Sequence, residues 1–193
     1  MSKTQRPSSA RKRILETAER LFYAEGIRSV GIDRVIAEAG VAKMTLYNHF
    51  PSKDQLILEV LKFREEQFDL FLKQRMMEHQ SRGLDSLKAF FAALKDWFEN
   101  PDYRGCSFIN ATAELADPQH AATQFCTEHK RRFRDQLTDI IIEAEGAKAA
   151  AVAPAISVLV EGAIVTSVSE GNSEAAQIAE EAAYMLIAKA KRK

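Results

Sequence analysis

The chain has 193 residues, 46% of them hydrophobic, and its 27 Lys plus Arg balance 27 Asp plus Glu to a formal net charge of zero. Length and apolar fraction suit one large or two small globular domains and exclude a disordered chain. Cys106 and Cys126 form no CxxC pair, which suits a reducing compartment, no apolar stretch follows Met1 to mark a secretory signal, and the longest charge-free run, Ala149 to Val160, is interrupted by Pro154; with ~20 apolar residues needed to span a bilayer, no membrane segment and a cytoplasmic address are expected.

Apolar residues recur at helical spacing almost throughout, and alternating β-branched runs between turn signals are lacking, which predicts an all-α fold of about nine helices. Ile14, Leu15, Ala18, Leu21 and Phe22 fall on one face of a helix from about Arg11 to Glu25, which Gly26 can end. Ile32, Val35, Ile36 and Ala39 repeat the pattern over a short segment that stops at Gly40, and Lys43 to His49 follows after only three residues. Ser52 stands three residues ahead of Gln55, a capping-box pattern, and Pro51 keeps the previous helix from continuing. The helix that starts there runs to about Gln80, ~40 Å at ~1.5 Å per residue. Its apolar residues, from Leu56 and Ile57 to Phe71 and Leu72, fall on more than one stripe, so it is expected to touch two bodies. Breaks at Ser81-Arg82-Gly83, Asn100-Pro101-Asp102, Asp117-Pro118, Glu145-Gly146 and Gly171-Asn172-Ser173 divide the remainder into about five more helices.

Two short helices around a glycine turn make a helix-turn-helix, whose second helix can enter a major groove. With Leu46 as the buried anchor, Met44 and Asn48 point away from the core and Thr45 and Tyr47 flank them. Asn can bond a base edge, Met can touch a thymine methyl, and the Thr and Tyr hydroxyls can reach phosphate oxygens. Lys43, His49 and Lys53 add donors along the DNA backbone. Two short helices around a glycine also occur in proteins that bind no DNA, and the charge distribution favours DNA here. Residues 1 to 53 hold 10 Lys plus Arg and 5 Asp plus Glu, a net of +5, and the rest of the chain holds −5. Lys3, Arg6, Arg11, Lys12 and Arg13 crowd the leading edge as a basic arm.

The run Ile14-Leu15-Glu16-Thr17-Ala18-Glu19-Arg20-Leu21-Phe22, then Val35 to Phe50 with its Gly40-Val41-Ala42-Lys43-Met44-Thr45-Leu46-Tyr47-Asn48-His49-Phe50, and Ser52 to Leu56, resembles the N-terminal domain of the tetracycline-repressor (TetR) family of bacterial transcriptional regulators. Gly105 to Asn110, on through Glu114, resembles the C-terminal half of one branch of it. The resemblance implies a DNA-binding head at 1–53, a helical ligand-binding and dimerisation domain at 54–193, and a homodimer on a palindromic operator in double-stranded DNA, usually as a repressor; with no Gly-rich phosphate loop, GxSxG or nucleophile–base pairing in the sequence, no enzymatic activity is expected. It places Lys43, Met44, Thr45 and Asn48 toward bases or groove, and Tyr47, His49 and Lys53 on phosphates. Gly31 and Ala42 depart from the family's capping Thr and Ser, and Ala is a poor cap.

Beyond residue 60 the chain is rich in aromatics, most of them expected in the core. The resemblance implies an effector pocket among them, for which Phe68, Phe91, Phe108 and Phe125 are the candidates, suited to an apolar or aromatic small molecule. The last two helices carry small residues that allow close approach, and the resemblance makes them a dimer interface through Leu159, Gly162, Ala163, Thr166, Ala179, Ala183 and Leu186. An intramolecular core pair is the alternative. Cys126 and His129, with Glu114, Asp117 and His120 upstream, lack any recognised metal-ligand spacing, so neither metal nor cofactor is expected. Activation instead of repression, or a helical small-molecule binder or enzyme whose head is an interaction module, remain the competing functions.

Overall fold

The computed structural model describes residues 9–192, and among them the chain forms nine α-helices, one 3-10 turn and no strand. In chain order they are α1 (Ser9–Glu25), α2 (Ile32–Ala39), α3 (Lys43–His49), α4 (Lys53–Ser81), α5 (Ser86–Phe98), α6 (Ser107–Leu115), α7 (Ala121–Glu145), the 3-10 turn (Ala147–Val152), α8 (Ala153–Glu170) and α9 (Glu174–Lys191). The all-α expectation and the stops at Gly26 and Gly40 hold. Lys3 and Arg6 of the basic arm lie outside the described residues. The Ala-rich stretch after Gly146 tightens into the 3-10 turn before Pro154 opens α8. The capping box at the start of α4 is half made: the Gln55 N–H donates to Ser52 Oγ at 3.0 Å, but the Gln55 side chain turns forward to Glu59.

The helices gather into two compact units. The first holds α1 to α3, α4 as far as Glu66, α6, and the opening of α7 as far as Thr127. Ile14, Ala18, Leu21, Val35, Leu46, Phe50, Leu56 and Ile57 are all buried in it. Arg64 donates to Glu19 at 2.5 Å and lies over the Tyr23 ring, and Arg11 donates to Glu59 at 2.7 Å, so two arginine–carboxylate pairs tie α1 to α4.

The second unit takes the rest of α4 and α7 with α5, the 3-10 turn, α8 and α9. Phe68, Trp97, Phe90 and Phe133 pack ring against ring at 4.8 to 6.2 Å between centroids, distances at which tilted aromatic pairs attract. Asp85 caps α5 by accepting the Lys88 N–H at 2.9 Å. Tyr103 donates its hydroxyl to the Ile164 carbonyl at 3.0 Å, pinning the loop ahead of α6 to α8. Lys130 spans from α7 to α8, donating to both oxygens of Glu161.

Asp96 on α5 accepts from Arg75 and His79 of α4, at 2.8 Å each. Burial alone would raise the Asp96 carboxyl, but those two hydrogen bonds outweigh it and hold the group below its ordinary 3.8. A depressed carboxylate stabilises the fold above its unfolded pKa, and that contribution disappears as pH falls through the lower folded value. Asp96→Asn is therefore expected to cost about 1 kcal/mol at pH 7, and the gap from the parent to close below about pH 4, read by denaturant titration at several pH values.

Candidate nucleic-acid interface

The reading helix is held by two anchors on one side of a seven-residue segment. Leu46 is 0% exposed and Phe50, directly after the helix, is equally buried, where α3 packs on α1 and α2. The turn before them needs glycine: Gly40 has φ 61°, in the left-handed region, and its N–H and that of Val41 close back on the Ala37 and Ile36 carbonyls. Ala42 caps α3 with its backbone alone, its carbonyl accepting from Thr45 at 2.9 Å, as a side chain without an oxygen requires.

With Leu46 inside, Met44 stands out at 70% exposure, Lys43, Tyr47 and Asn48 are exposed, and Thr45 and His49 lie half-buried at the margins. This is the face that the helical wheel predicted to point away from the core. Among the described residues, the side chains of Tyr47 and Asn48 make no hydrogen bond to the rest of the chain, so their donors and acceptors are offered outward. Lys43 keeps a loose contact with Asp33 at 3.6 Å, both groups largely in water, which costs little to exchange for a phosphate. Behind this surface, Arg34 joins Glu25 and Glu38, and Arg20 joins Glu38, bracing α2 against α1 on the exposed side.

Lys53 is placed differently. Its ammonium donates to the Ile27 carbonyl at 2.6 Å and lies 5.9 Å from the centre of the Phe22 ring, and this partial burial pulls its pKa down.

The four aromatic ligand candidates divide between the two units. Phe108 and Phe125 face each other at 6.5 Å in the first unit. Phe68 packs on Trp97 in the second, where Phe91 is buried against Phe90 and forms part of the floor of a groove between α5 and α9 beside Tyr184 and Met185. Sequence reading missed a small open cleft of about 30 Å³ in the first unit, between α1, α4 and α6, bounded by Tyr23, Ile57, Leu61, Arg64, Asn110 and Glu114. No cluster of three His, Cys, Asp or Glu suited to a metal occurs among the described residues.

The small-residue positions of α8 and α9 divide in two. Ala163, Ala179 and Ala183 are buried within the protomer, where α8 and α9 pack along each other; Leu159, Thr166 and Leu186 are half-buried, and Gly162 is exposed with open space above its Cα. The outward stripes instead carry Val158 and Val165 on α8, 72% and 51% exposed, and Ile178 and Met185 on α9, 64% and 68% exposed. Residues 147–170 have a mean hydropathy of 1.9 in their most apolar window, only a third of it buried in the chain. By length and composition alone that segment meets the requirement for crossing a membrane, which the charge-free run read from the sequence understated, because one Glu161 does not offset the valines on either side of it.

Comparison with known proteins agrees with this geometry. Residues 14–60 match the family of bacterial regulatory proteins called tetR, and residues 84–182 match the C-terminal domain of transcriptional regulators like LmrA and YxaF. The chain is 27% identical over 173 residues to the HTH-type transcriptional regulator LmrA of Bacillus subtilis, covering 85% of this chain and 89% of that one. It is 25% identical over 154 residues to the HTH-type transcriptional regulator YjdC of Escherichia coli, covering 80% and 81%. Among solved structures, SCO4454, a TetR-family transcriptional regulator from Streptomyces coelicolor, superposes with a TM-score of 0.81 at 31% identity over 95% of this chain and 96% of that one. Taken with the outward face of α3, these matches make the chain a member of the TetR family of DNA-binding transcriptional regulators, with a C-terminal domain of the LmrA/YxaF type and no enzymatic role.

Proposed function

We propose that the chain works in the cytoplasm as a repressor that binds a palindromic operator as a homodimer and leaves it when a small, apolar or aromatic effector binds the helical domain at 54–193. The observation that carries the DNA half of this reading is the exposed set Lys43, Met44, Tyr47 and Asn48 over a buried Leu46, with Thr45 and His49 at its margins. The dimer half is supported by the large apolar side chains that α8 and α9 leave in water, Val158, Val165, Val168, Ile178 and Met185. A monomer seldom exposes more than a few hundred Å² of contiguous apolar surface. A second copy of the chain accounts for that surface without a bilayer. Two reading helices on a two-fold axis then meet successive major grooves about 34 Å apart.

An effector releases DNA only by binding the non-competent arrangement better than the competent one, with ~1–3 kcal/mol a common coupling. The groove floored by Phe91 is the opening in that domain that such a molecule could enter.

Selection of bound genomic fragments by the purified protein should yield one palindromic site, bound with an affinity that falls steeply with salt; retention of all sequences alike, or none, would sink the proposal. On the recovered site, Tyr47→Phe is expected to weaken operator and scrambled DNA by a similar factor, about three- to tenfold, because a phosphate contact carries no sequence information. Asn48→Ala is expected to relax base preference at one position of each half-site by about 1–3 kcal/mol. Competitive titrations that gave the reverse pattern would exchange the two roles.

A further inference from the structure

Gly26, Ile27 and Arg28 join α1 to α2, and the peptide unit between Ile27 and Arg28 is held at both of its polar atoms. Its carbonyl accepts from Lys53 Nζ at 2.6 Å, and its N–H donates to Glu114 Oε2 at 3.0 Å. A cation thus grips the oxygen end of one peptide dipole and an anion the N–H end, the arrangement in which both hydrogen bonds are charge-assisted and each strengthens the other. The two side chains come from different elements, Lys53 from the first residue of α4 and Glu114 from the last turn of α6. The Arg28 guanidinium adds a bond to the Leu115 carbonyl at 3.2 Å, also at the end of α6. Gly26 is fitted to this: it has φ +93°, and a Cβ there would lie 3.0 Å from Glu114 Oε2. The clamp lies entirely within the first unit, and Glu114 also bounds the cleft between α1, α4 and α6.

We infer that Lys53 and Glu114 are a pair of positioning residues that grip the Ile27–Arg28 peptide, fix α2 and α3 relative to α4 and α6, and so set the approach of the reading helix to DNA. Lys53 acts through this peptide and not as a phosphate contact. The inference rests on the DNA-binding reading for its affinity readout, but not for its structural one. A polar molecule entering the cleft and competing for Glu114 would free the Arg28 N–H and loosen the reading helix, which gives α6 a chemical route to the DNA face.

The test is a double-mutant cycle on the full chain. Lys53→Met and Glu114→Ala are each expected to lower operator affinity about tenfold. The double variant should lose no more than about threefold beyond the worse single, because both act on one peptide. Glu114→Gln, which keeps an oxygen to accept the Arg28 N–H but loses the charge, should fall only about threefold below the parent. The slope of log affinity against log salt should be unchanged in Lys53→Met, whereas removal of a phosphate contact lowers it by about 0.9 per site. Additive losses, a slope lowered by that amount, or unaltered affinity in both singles would each overturn the inference. In DNA-free protein, hydrogen exchange of the Arg28 amide should quicken at least tenfold in Glu114→Ala while amides of α5 and α9 stay as they were; unchanged exchange also overturns it. If the parent bound no operator, the regulator reading would fail, and the exchange experiment would still decide the clamp.

Discussion

Val165→Asp combined with Met185→Asp is expected to yield a folded monomer whose operator affinity is at least about a hundredfold below the parent's. Both side chains are more than half exposed in the protomer, so neither change touches a buried contact within the chain, and helix content and thermal midpoint should stay close to the parent values. In a two-fold interface the same patch appears on both subunits, so each substitution enters twice and four carboxylates would meet in a desolvated seam. Losing the dimer removes the linkage between two half-site contacts, which is worth about 10² to 10⁴ in affinity. Gly162→Glu tests the same surface with one change. Gly162 is exposed and has nothing within 4 Å of an added Cβ, so the glutamate is free of clashes in the protomer. Sedimentation velocity gives the assembly state and a titration with the recovered site gives the affinity. A persistent dimer with full affinity in both variants would move the interface elsewhere.

The same helices show where sequence reading stops. The small residues of α8 and α9 were expected to face a second copy, but Ala163, Ala179 and Ala183 are used within the chain, letting the two helices of one protomer approach closely. Val158, Val165, Val168, Ile178 and Met185, which the small-residue pattern does not single out, are the large apolar side chains left in water. The physical reason is that α8 is apolar almost all round, so periodicity identifies a helix without saying which stripe packs inside. Where a helix has one apolar side, periodicity settled its orientation: Leu46 and Phe50 fix α3, and the outward set follows. The clamp at Ile27 and Arg28 left no trace in the sequence, since the groups it holds are backbone atoms and Glu114 lies 86 residues away from Arg28. Lys53 was recognised as important by position, but its partner is a carbonyl that no pattern reports. Much of the aromatic run beyond residue 60 was legible as core, with the buried Trp97 and Phe133 each in ring contact with Phe68, but no spacing rule separates a packed ring from one that borders an opening, as Phe91 does.

Leu46→Ala is expected to abolish operator binding and to destabilise the first unit by about 2–5 kcal/mol, the range for emptying a fully buried leucine site. The effect is large because α3 has only seven residues, well short of the ~12–15 at which an isolated helix becomes even marginal in water. Such a segment is helical only while it is pinned, and Leu46 is its one buried residue, with Phe50 buried just beyond its end. Ala42 contributes no side-chain cap, so nothing at the N-terminal end compensates. Removing the anchor therefore takes away the helix itself, and with it the spacing that aims Met44, Tyr47 and Asn48 outward. Met44→Ala is the control: its side chain is 70% exposed, so stability should change by less than about 0.5 kcal/mol, and any loss of operator affinity then comes from the contact alone. Hydrogen exchange resolved by segment separates the two outcomes, with α3 amides losing protection in Leu46→Ala while those of α5, α8 and α9 keep theirs. Retained protection of α3 together with full operator affinity in Leu46→Ala would mean that Leu46 does not anchor α3, and the outward face of α3 would lose the basis on which it was assigned.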